Sequence, residues 1–321
     1  MIVLLTSGKS SIKKISKKLP GAGHFHWGSR IYYQKRSPAV RSSQSKSVGS
    51  ALFVLILINF KLLSHMKNPL LSLMLGSLLV FNMACKDDKK VPESCDAVEF
   101  EYEGDLGPAY WGELCLASEC NGSEQSPINI SGAVDDNTLS DIPQTYVATA
   151  THIVNKGHTI QLNFDGGSSI VVDGLVYDLL QFHTHTHSEH SVNGAHAPLE
   201  MHFVHKNAAS GKLAVIGVLV EEGAENAVLE HFVHHLPESK DATYEAADTF
   251  SALDLMPSDK SYFTYAGSLT TPPCSEIVTW IVMEHAIEAS LDQIEHFEHL
   301  EHENARPVQS IGGRVVKHHK G

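Results

Sequence analysis

Three histidines in one short segment are the residues of this chain whose spacing points most directly to chemistry. His183 and His185 are two residues apart in QFHTHT, and His202 lies in EMHFV, a run that indicates a second β-strand. Alternate residues of a strand project from one face, so the imidazoles of His183 and His185 point to the same side. Three neutral imidazoles from two neighbouring strands leave a fourth tetrahedral position open, which is typical of a zinc ion that activates water.

The residues that flank these histidines strengthen the metal interpretation. The chain has 21 histidines, so an H-x-H pair by itself could arise by chance or belong to an ordinary core. Gln181 lies two residues before His183, and Glu200 lies two before His202, so each polar side chain shares a face with a candidate ligand. Polar partners at such positions orient a metal-bound imidazole and fix its tautomer.

Five motifs in order connect the chain to a known family. QFHxH, SEH, ExH before a hydrophobic strand, GSLTTPP at 267–273 and ARP at 305–307 follow one another as in the α-class carbonic anhydrases. The chain resembles that family from about Phe100 to about Val316. The resemblance implies an α+β, mainly β fold with a large, twisted, mostly antiparallel central sheet and peripheral helices. It also implies a zinc lyase that interconverts carbon dioxide and bicarbonate.

The resemblance assigns roles to individual residues. It implies that His183, His185 and His202 bind Zn²⁺ and that zinc-bound hydroxide attacks carbon dioxide. It further implies that Thr270 orients this hydroxide and donates a hydrogen bond to Glu189. An ionised carboxylate can only accept, so Glu189 would enforce that orientation of the threonine. The alternative for Glu189 is an ordinary ion pair at the end of a strand.

Further matches concern proton transfer and substrate. His158, in NKGHTIQLNF, lies at the family's proton-shuttle position, and histidine titrates near neutrality. A solvated turn histidine is the alternative. Tyr102 resembles the tyrosine that helps to order the water chain. The remaining matches would line the substrate pocket, although the apolar ones suit a plain core equally well: Thr271, Val204, Val215, Leu269, Val278 and Trp280.

Two residues between the motifs depart from the family pattern. Thr184 replaces the aromatic residue usually found between the first two ligands, and strand alternation predicts that it faces away from the metal. His187 lies where bacterial relatives often carry proline. His187 could be a surface metal ligand or have no role, and we favour no role.

Charge divides the chain into two unlike segments. Residues 1–85 carry 12 Lys or Arg and no Asp or Glu, whereas residues 86–321 carry 12 Lys or Arg against 37 Asp or Glu, a net charge of −25. A strongly acidic segment argues against binding to nucleic acid or to an anionic membrane surface. Many bacterial relatives dimerise, so a homodimer is compatible with the resemblance, but no residue identifies an interface.

The sequence that begins at Met66, MKNPLLSLMLGSLLVFNMAC, predicts an export signal. It has a basic start, an apolar stretch over 70–81 and a cysteine, Cys85, directly after the small residue Ala84. This resembles a lipoprotein signal peptide in which Cys85 acquires the lipid. The protein would then be exported and anchored to a membrane in the periplasm or at the cell surface. A plain secreted protein is the alternative.

The predicted organisation has five segments. They are a non-native upstream extension or targeting region (1–65), the signal peptide (66–85), a polar tether (86–99), the catalytic domain (100–316) and a tail (317–321). If Cys85 is lipidated, Cys95, Cys115, Cys120 and Cys274 remain, and sequence alone leaves three pairings open. An exported protein is permitted disulfides. The family resemblance implies the pair Cys120–Cys274, which would hold the loop that carries Thr270 and Thr271, called the threonine loop below.

Two segments predict helices, and one of them suggests rival functions. NAVLEHFVHHL (226–236) has an apolar face, and Ser290 is a candidate N-cap for the segment that follows it. That second segment carries His296, His299 and His302 with acidic residues between them, as a metal-binding face or as a solvated helix. One rival is therefore a zinc-scavenging surface lipoprotein. The other is a non-catalytic binding module that keeps the fold.

Overall fold

The computed structural model describes residues 90–321 of the 321-residue chain. The predicted upstream extension (1–65), the predicted signal peptide (66–85) and Cys85 lie outside the described residues. Within residues 90–321, no helix is both long and apolar enough to cross a membrane.

β-Strands make up most of the regular structure in this part of the chain. The strands are β1 (Asn129–Ile130), β2 (Val134–Asp135), β3 (Gln144–Thr145), β4 (Thr149–Asn155), β5 (Ile160–Asn163), β6 (Ser169–Val172), β7 (Leu175–Thr186), β8 (Ser191–Val192), β9 (Leu199–Lys206), β10 (Leu213–Glu222), β11 (Thr243–Phe250), β12 (Tyr262–Gly267), β13 (Val278–Met283), β14 (Ile287–Ala289) and β15 (Lys317–His319). Thirteen of these described strands form one sheet, and β1 and β8 form a separate pair.

The large sheet is mixed but mostly antiparallel. Its main path runs β11-β4-β5-β7-β9-β10-β13-β12-β15-β2, with β14 beside β10 and with β6 joining β3 to β7. Within it, the described parallel pairings are β10 with β13, β10 with β14, and β15 with β2. The prediction of a mainly β fold with a large, mostly antiparallel sheet is confirmed.

Helices lie at the periphery, as predicted. The two α-helices in the described residues are α1 (Ala227–Val233) and α2 (Leu291–Glu301). The side chain of Asn226 accepts hydrogen bonds from the first turn of α1, and Ser290 and Gln293 form a reciprocal capping box on α2. Helix α1 is shorter than the predicted segment 226–236. The chain turns after Val233, and Pro237 disfavours helical backbone in the residue before it.

Alternation along β7 and β9 separates the core from the histidines. Phe182 and Phe203 are paired across these strands, with ring centroids 5.1 Å apart, and both are fully buried in the main hydrophobic core. The next pair along is His183 and His202, which must project from the opposite face. Each buried Phe contributes about 1.5–3 kcal/mol to folding, so the core fixes the register and thereby the side of the sheet that bears the histidines.

The two ends of the described part are more structured than the predicted tether and tail. Cys95, in the predicted tether, forms a disulfide with Cys115. Residues 317–321, the predicted tail, include β15, which pairs with β12 and β2. His318 of β15 lies 2.9 Å from a carboxylate oxygen of Asp135 and 3.0 Å from one of Glu284. These long-range partners stabilise residues 317–321, whose sequence shows no strand pattern of its own.

The pH dependence of stability should reveal His318. Burial disfavours the charged ring, but hydrogen bonds to Asp135 and Glu284 outweigh burial and raise its pKa above the usual 6.5. A raised folded-state pKa adds stability that is complete below the unfolded pKa and is lost as the pH rises through the folded pKa. We expect His318→Gln to lower the Tm most at acidic pH. Thermal unfolding of both proteins from about pH 5 to pH 9 measures this, and a difference that grows with pH would contradict it.

Candidate active site

The three histidines predicted as ligands converge on one face of the sheet. His183 is paired with His202 across β7 and β9, and His185 lies two residues further along β7. Their ring centroids are 4.6–5.3 Å apart. One ring nitrogen of each histidine lies within 4.8 Å of the corresponding nitrogens of the others. The register of the two strands therefore creates a compact set of three nitrogen donors.

The second nitrogen of each imidazole is held by a hydrogen-bond acceptor. The contacts are His183 Nδ1 to Gln181 Oε1 at 2.9 Å, His202 Nε2 to Glu200 Oε1 at 2.9 Å, and His185 Nδ1 to the backbone oxygen of Asn304 at 2.9 Å. Each acceptor places the ring proton on the nitrogen that it contacts, so the other nitrogen presents a lone pair to the centre. Gln181 and Glu200 thus make the contacts that their spacing predicted. No sequence pattern indicates Asn304 as this partner, because the contact joins residues that are 119 positions apart.

The donor set fits a zinc ion. His185 Nε2 is buried and has no hydrogen-bond partner, and the nearest carboxylate oxygen, Glu189 Oε2, is 3.5 Å away. Burial is the main cause of the lowered pKa of all three histidines, to about 4 for His185, so the rings are neutral at pH 7. A buried polar atom without a partner is costly. Three neutral imidazoles without a thiolate are the ligand set of a catalytic zinc site.

Glu200 extends the site into a buried hydrogen-bond network. Its carboxylate contacts His202 and also His190 Nδ1, at 2.7 Å, while His190 Nε2 lies 2.6 Å from the Tyr265 hydroxyl. Burial would raise the pKa of Glu200, but His190 and His202 outweigh burial and hold that pKa well below its usual value. Neither His190 nor Tyr265 has a role that the sequence predicts. No local pattern could pair them, because they are 75 residues apart.

Glu189 is fully buried beside the three ligands. One carboxylate oxygen accepts a hydrogen bond of 2.8 Å from the backbone N–H of Arg306. Burial raises the pKa of Glu189 to about 7, against the opposing effects of His202 and the Thr270 hydroxyl. The other carboxylate oxygen, Oε2, is buried and has no hydrogen-bond partner among the described residues. No lysine or arginine side chain of residues 90–321 forms an ion pair with Glu189, which argues against the strand-end alternative.

A disulfide closes the loop that carries Thr270 and Thr271. Cys120 is bonded to Cys274, the pairing that the family resemblance implied. The N–H of Cys274 donates to the Thr271 carbonyl at 2.9 Å. Thr270 is buried and Thr271 is half-buried. The loop is therefore held both covalently and by its own backbone.

His158 packs against aromatic residues at the edge of the site. Its ring centroid lies 4.5 Å from that of Phe100 and 6.3 Å from that of Tyr102. Burial is the largest cause of a pKa lowered to about 4, and the neighbouring His185 adds to it. An imidazole with this pKa carries few protons at pH 7. The pKa of Tyr102 is raised well above its usual value, first by burial and then by Glu189, so its hydroxyl keeps its proton.

An apolar wall adjoins the metal ligands. Val215, Val278 and Trp280 are buried in one hydrophobic cluster, and Val204 and Leu269 pack against it. The indole ring of Trp280 lies 4.8 Å from the imidazole of His202. The five apolar residues predicted for the substrate pocket are thus together and next to the site, while also serving as core.

Thr184 faces away from the ligands and meets an unforeseen carboxyl group. Its hydroxyl donates a 2.5 Å hydrogen bond to Glu301 of α2, which also accepts a bond of 2.7 Å from the N–H of Ile160. Burial raises the pKa of Glu301 to about 8. The departure from an aromatic residue at position 184 is therefore matched by a polar partner behind the ligand strand.

The histidines of α2 do not gather into a metal site. Only His296 and His299 lie within α2, and His302 is the residue at its C-terminal cap. Groups of three or more potential ligands within 4.8 Å occur twice in residues 90–321, as His183/His185/His202 and as His190/Glu200/His202. The interpretation of α2 as a zinc-scavenging face gains no support from this geometry.

Comparison with known proteins identifies the family. The sequence profile of eukaryotic-type carbonic anhydrase matches residues 106–320. A carbonic anhydrase of Klebsiella pneumoniae is 41% identical over 231 residues, which are 70% of this chain and 93% of the relative. The α-carbonic anhydrase of Thermovibrio ammonificans, solved with the inhibitor sulfanilamide, has a TM-score of 0.67 and 40% identity, covering 69% of this chain and 99% of that one. A hyperthermostable carbonic anhydrase identified from a hydrothermal vent chimney has a TM-score of 0.66 and 43% identity. That match covers 68% of this chain and 99% of the relative.

The fold and the site define a mainly β protein with three converging imidazoles, and the matches give this class its name. The chain belongs to the α-class carbonic anhydrase family. It is an enzyme, a carbonate dehydratase, and its substrate is the small molecule carbon dioxide or bicarbonate. These matches favour an enzyme over the alternative of a non-catalytic binding module.

Proposed function

We propose that this enzyme hydrates carbon dioxide with one Zn²⁺ held by His183, His185 and His202. The observation that carries the proposal is the buried, unpartnered Nε2 of His185, which faces the free nitrogens of the other two rings. When bound, zinc lowers the pKa of a coordinated water to about 7, a value established for carbonic anhydrases themselves, and so supplies a nucleophile at neutral pH.

Glu189 and Thr270 orient the attack. An ionised Glu189 can only accept hydrogen bonds, so the Thr270 hydroxyl donates to it and keeps its own oxygen free to accept from the nucleophile. This directs a lone pair of the nucleophile towards the substrate. A cation at the three imidazoles would lower the pKa of Glu189 from about 7 and favour the ionised form.

The apolar wall receives the substrate. Carbon dioxide has no net charge to grip, and Val215, Val278 and Trp280 offer buried apolar surface beside the ligands. Excluding water there strengthens the electrostatic interactions within the site. Thr271, on the half-buried side of the threonine loop, would complete the pocket on its polar side.

The proton leaves through His158, and this requires a second position of its ring. Packed against Phe100, His158 has a pKa of about 4. Rotation away from Phe100 would expose the imidazole and return its pKa towards 6.5, where it can accept and release protons at neutral pH. Side-chain rotations of exposed residues take place within nanoseconds, which is fast enough for a shuttle.

Stopped-flow measurement of carbon dioxide hydration by the full chain tests the function. With one equivalent of zinc, we expect a rate that rises through an apparent pKa near 7. Removal of the metal by a chelator should abolish that rate, and a second addition of zinc should restore it. Folded, zinc-loaded protein that hydrates carbon dioxide no faster than buffer would refute the proposal.

Replacement of His158 tests the shuttle. In dilute buffer we expect His158→Ala to lower the maximal rate on the order of 10²-fold, because general acid–base groups contribute effects of this size. Added imidazole should restore much of that rate. The matched control is His152→Ala, a change at a histidine of β4 whose side chain contacts Glu245 and Asp165 rather than the ligands, and it should leave the rate unchanged. Equal rates for His158→Ala and the wild type in dilute buffer would exclude the shuttle role.

The enzyme would act outside the cytoplasm, anchored by a lipid on Cys85. Two disulfides in residues 90–321 support an oxidising compartment. Residues 86–321 are strongly acidic and would be repelled by an anionic membrane surface, so the lipid, and not the protein surface, would attach the enzyme to the membrane. Radiolabelled fatty acid should be incorporated into the wild type and not into Cys85→Ser, and equal labelling would contradict the anchor. A homodimer stays a prediction.

A further inference from the structure

His187 and His196 form an exposed pair beside the ligand strands. His187 directly follows β7, and His196 lies a few residues before β9. Their ring centroids are 4.6 Å apart, the same separation as between the ligands His185 and His202. The sequence alone leaves His187 open to a role as a surface metal ligand or to no role, and no role is the prediction that it favours.

A single carbonyl group fixes both rings. Nδ1 of His187 and Nδ1 of His196 each lie 2.7 Å from the backbone oxygen of Ser188. A carbonyl oxygen can only accept, so both Nδ1 atoms carry the ring proton and both Nε2 atoms present a lone pair. Donation of the second N–H to a backbone carbonyl is the arrangement that metal-bound histidines show.

The residue that holds the pair is rigid. Ser188 is fully buried, and its N–H donates to the Ala197 carbonyl at 2.9 Å. Its hydroxyl donates to the His190 carbonyl at 2.7 Å and accepts from the N–H of Ala197 at 2.9 Å. Both imidazoles are already anchored to this residue. A ligand bound by both Nε2 atoms would therefore cost little additional side-chain conformational entropy.

We propose that His187 and His196 bind a divalent transition metal ion through their Nε2 atoms. Imidazole nitrogen suits zinc, copper and nickel rather than magnesium or calcium. No third histidine, cysteine, aspartate or glutamate of residues 90–321 joins the pair within ligand distance, so water fills the remaining positions. The ion at this second site is therefore held by fewer protein ligands than the catalytic zinc and exchanges more readily.

Equilibrium dialysis of the full chain against Zn²⁺ tests this site. The catalytic site is filled first, and its occupancy is verified by carbon dioxide hydration, so that failure of that site is recognised separately. We expect the double variant His187→Ala/His196→Ala to bind one equivalent less zinc than the wild type while keeping its hydration activity. The matched control, His231→Ala/His285→Ala, removes two exposed histidines that are not paired with each other. It should bind as much zinc as the wild type.

Two outcomes would overturn the second site. One is equal zinc binding by the wild type and His187→Ala/His196→Ala, and the other is an equal loss in the control. Ring nitrogen spectra of the wild type give an independent measurement. We expect added Zn²⁺ to shift the Nε2 resonances of His187 and His196 and to leave both Nδ1 atoms protonated. Unchanged Nε2 resonances at saturating zinc would also refute the site.

Discussion

His202→Ala should lose the tightly bound zinc and hydrate carbon dioxide no faster than buffer. The variant lacks Nδ1, one of the three converging nitrogens, and two imidazoles remain at the centre. It also removes a hydrogen bond to Glu200, which costs about 1.5–3 kcal/mol for a bond to a charged group. Glu200 keeps His190 as a partner, so we expect a folded protein. Metal analysis after dialysis against a chelator, with hydration rates on the same samples, measures both effects.

Two further variants make the His202 result specific. His205→Ala removes another fully buried histidine from the same strand, one whose Nε2 contacts the Tyr146 hydroxyl at 3.0 Å instead of the metal site. It should keep one zinc and most of its activity. His202→Gln can still donate a hydrogen bond to Glu200 but offers no imidazole, so it should fold and yet lack zinc. If folded His202→Gln retained chelator-resistant zinc, the assignment of His202 as a ligand would be wrong.

Thr270→Val should lower kcat/KM roughly 10²-fold while zinc stays bound. Valine keeps the size of threonine but has no hydroxyl, so the nucleophile loses the group that orients it. A misplacement of about 1 Å costs an effect of this size. Thr270 is not among the metal donors, and its loop remains held by the Cys120–Cys274 disulfide. Stopped-flow kinetics at fixed zinc content measures the change.

Thr270→Ser is the matched control for the hydroxyl. Serine retains the donor and acceptor and loses only a methyl group, so most of the activity should return. Thr264→Val is a second control, because it removes a hydroxyl from β12 outside the threonine loop. Thr270→Val and Thr270→Ser with equally low activity would show that the methyl group, and therefore packing, matters rather than orientation.

The ligand set could be predicted because its information is local. His183 and His185 share a face through the two-residue repeat of a strand, and the same repeat places Gln181 next to His183. The structure shows these contacts, including the 2.9 Å bond from His183 Nδ1 to Gln181. The mainly β fold followed from the family motifs. The sequence did not predict the length of α1, because a turn ends that helix early. It also did not predict the strand at the C-terminus, because distant partners stabilise that strand.

The sequence by itself determined which chemistry this protein can do: three imidazoles, a threonine loop and the motif order of one enzyme family. Only the tertiary structure decided how that chemistry is supported. The carbonyl of Asn304 that holds His185 comes from 119 residues away, and burial of His158, which packs against Phe100, lowers the pKa of that imidazole. The pairing of His187 with His196 likewise depends on one buried carbonyl. A strand repeat acts between neighbours in sequence, whereas burial and long-range hydrogen bonds arise only after the chain has folded.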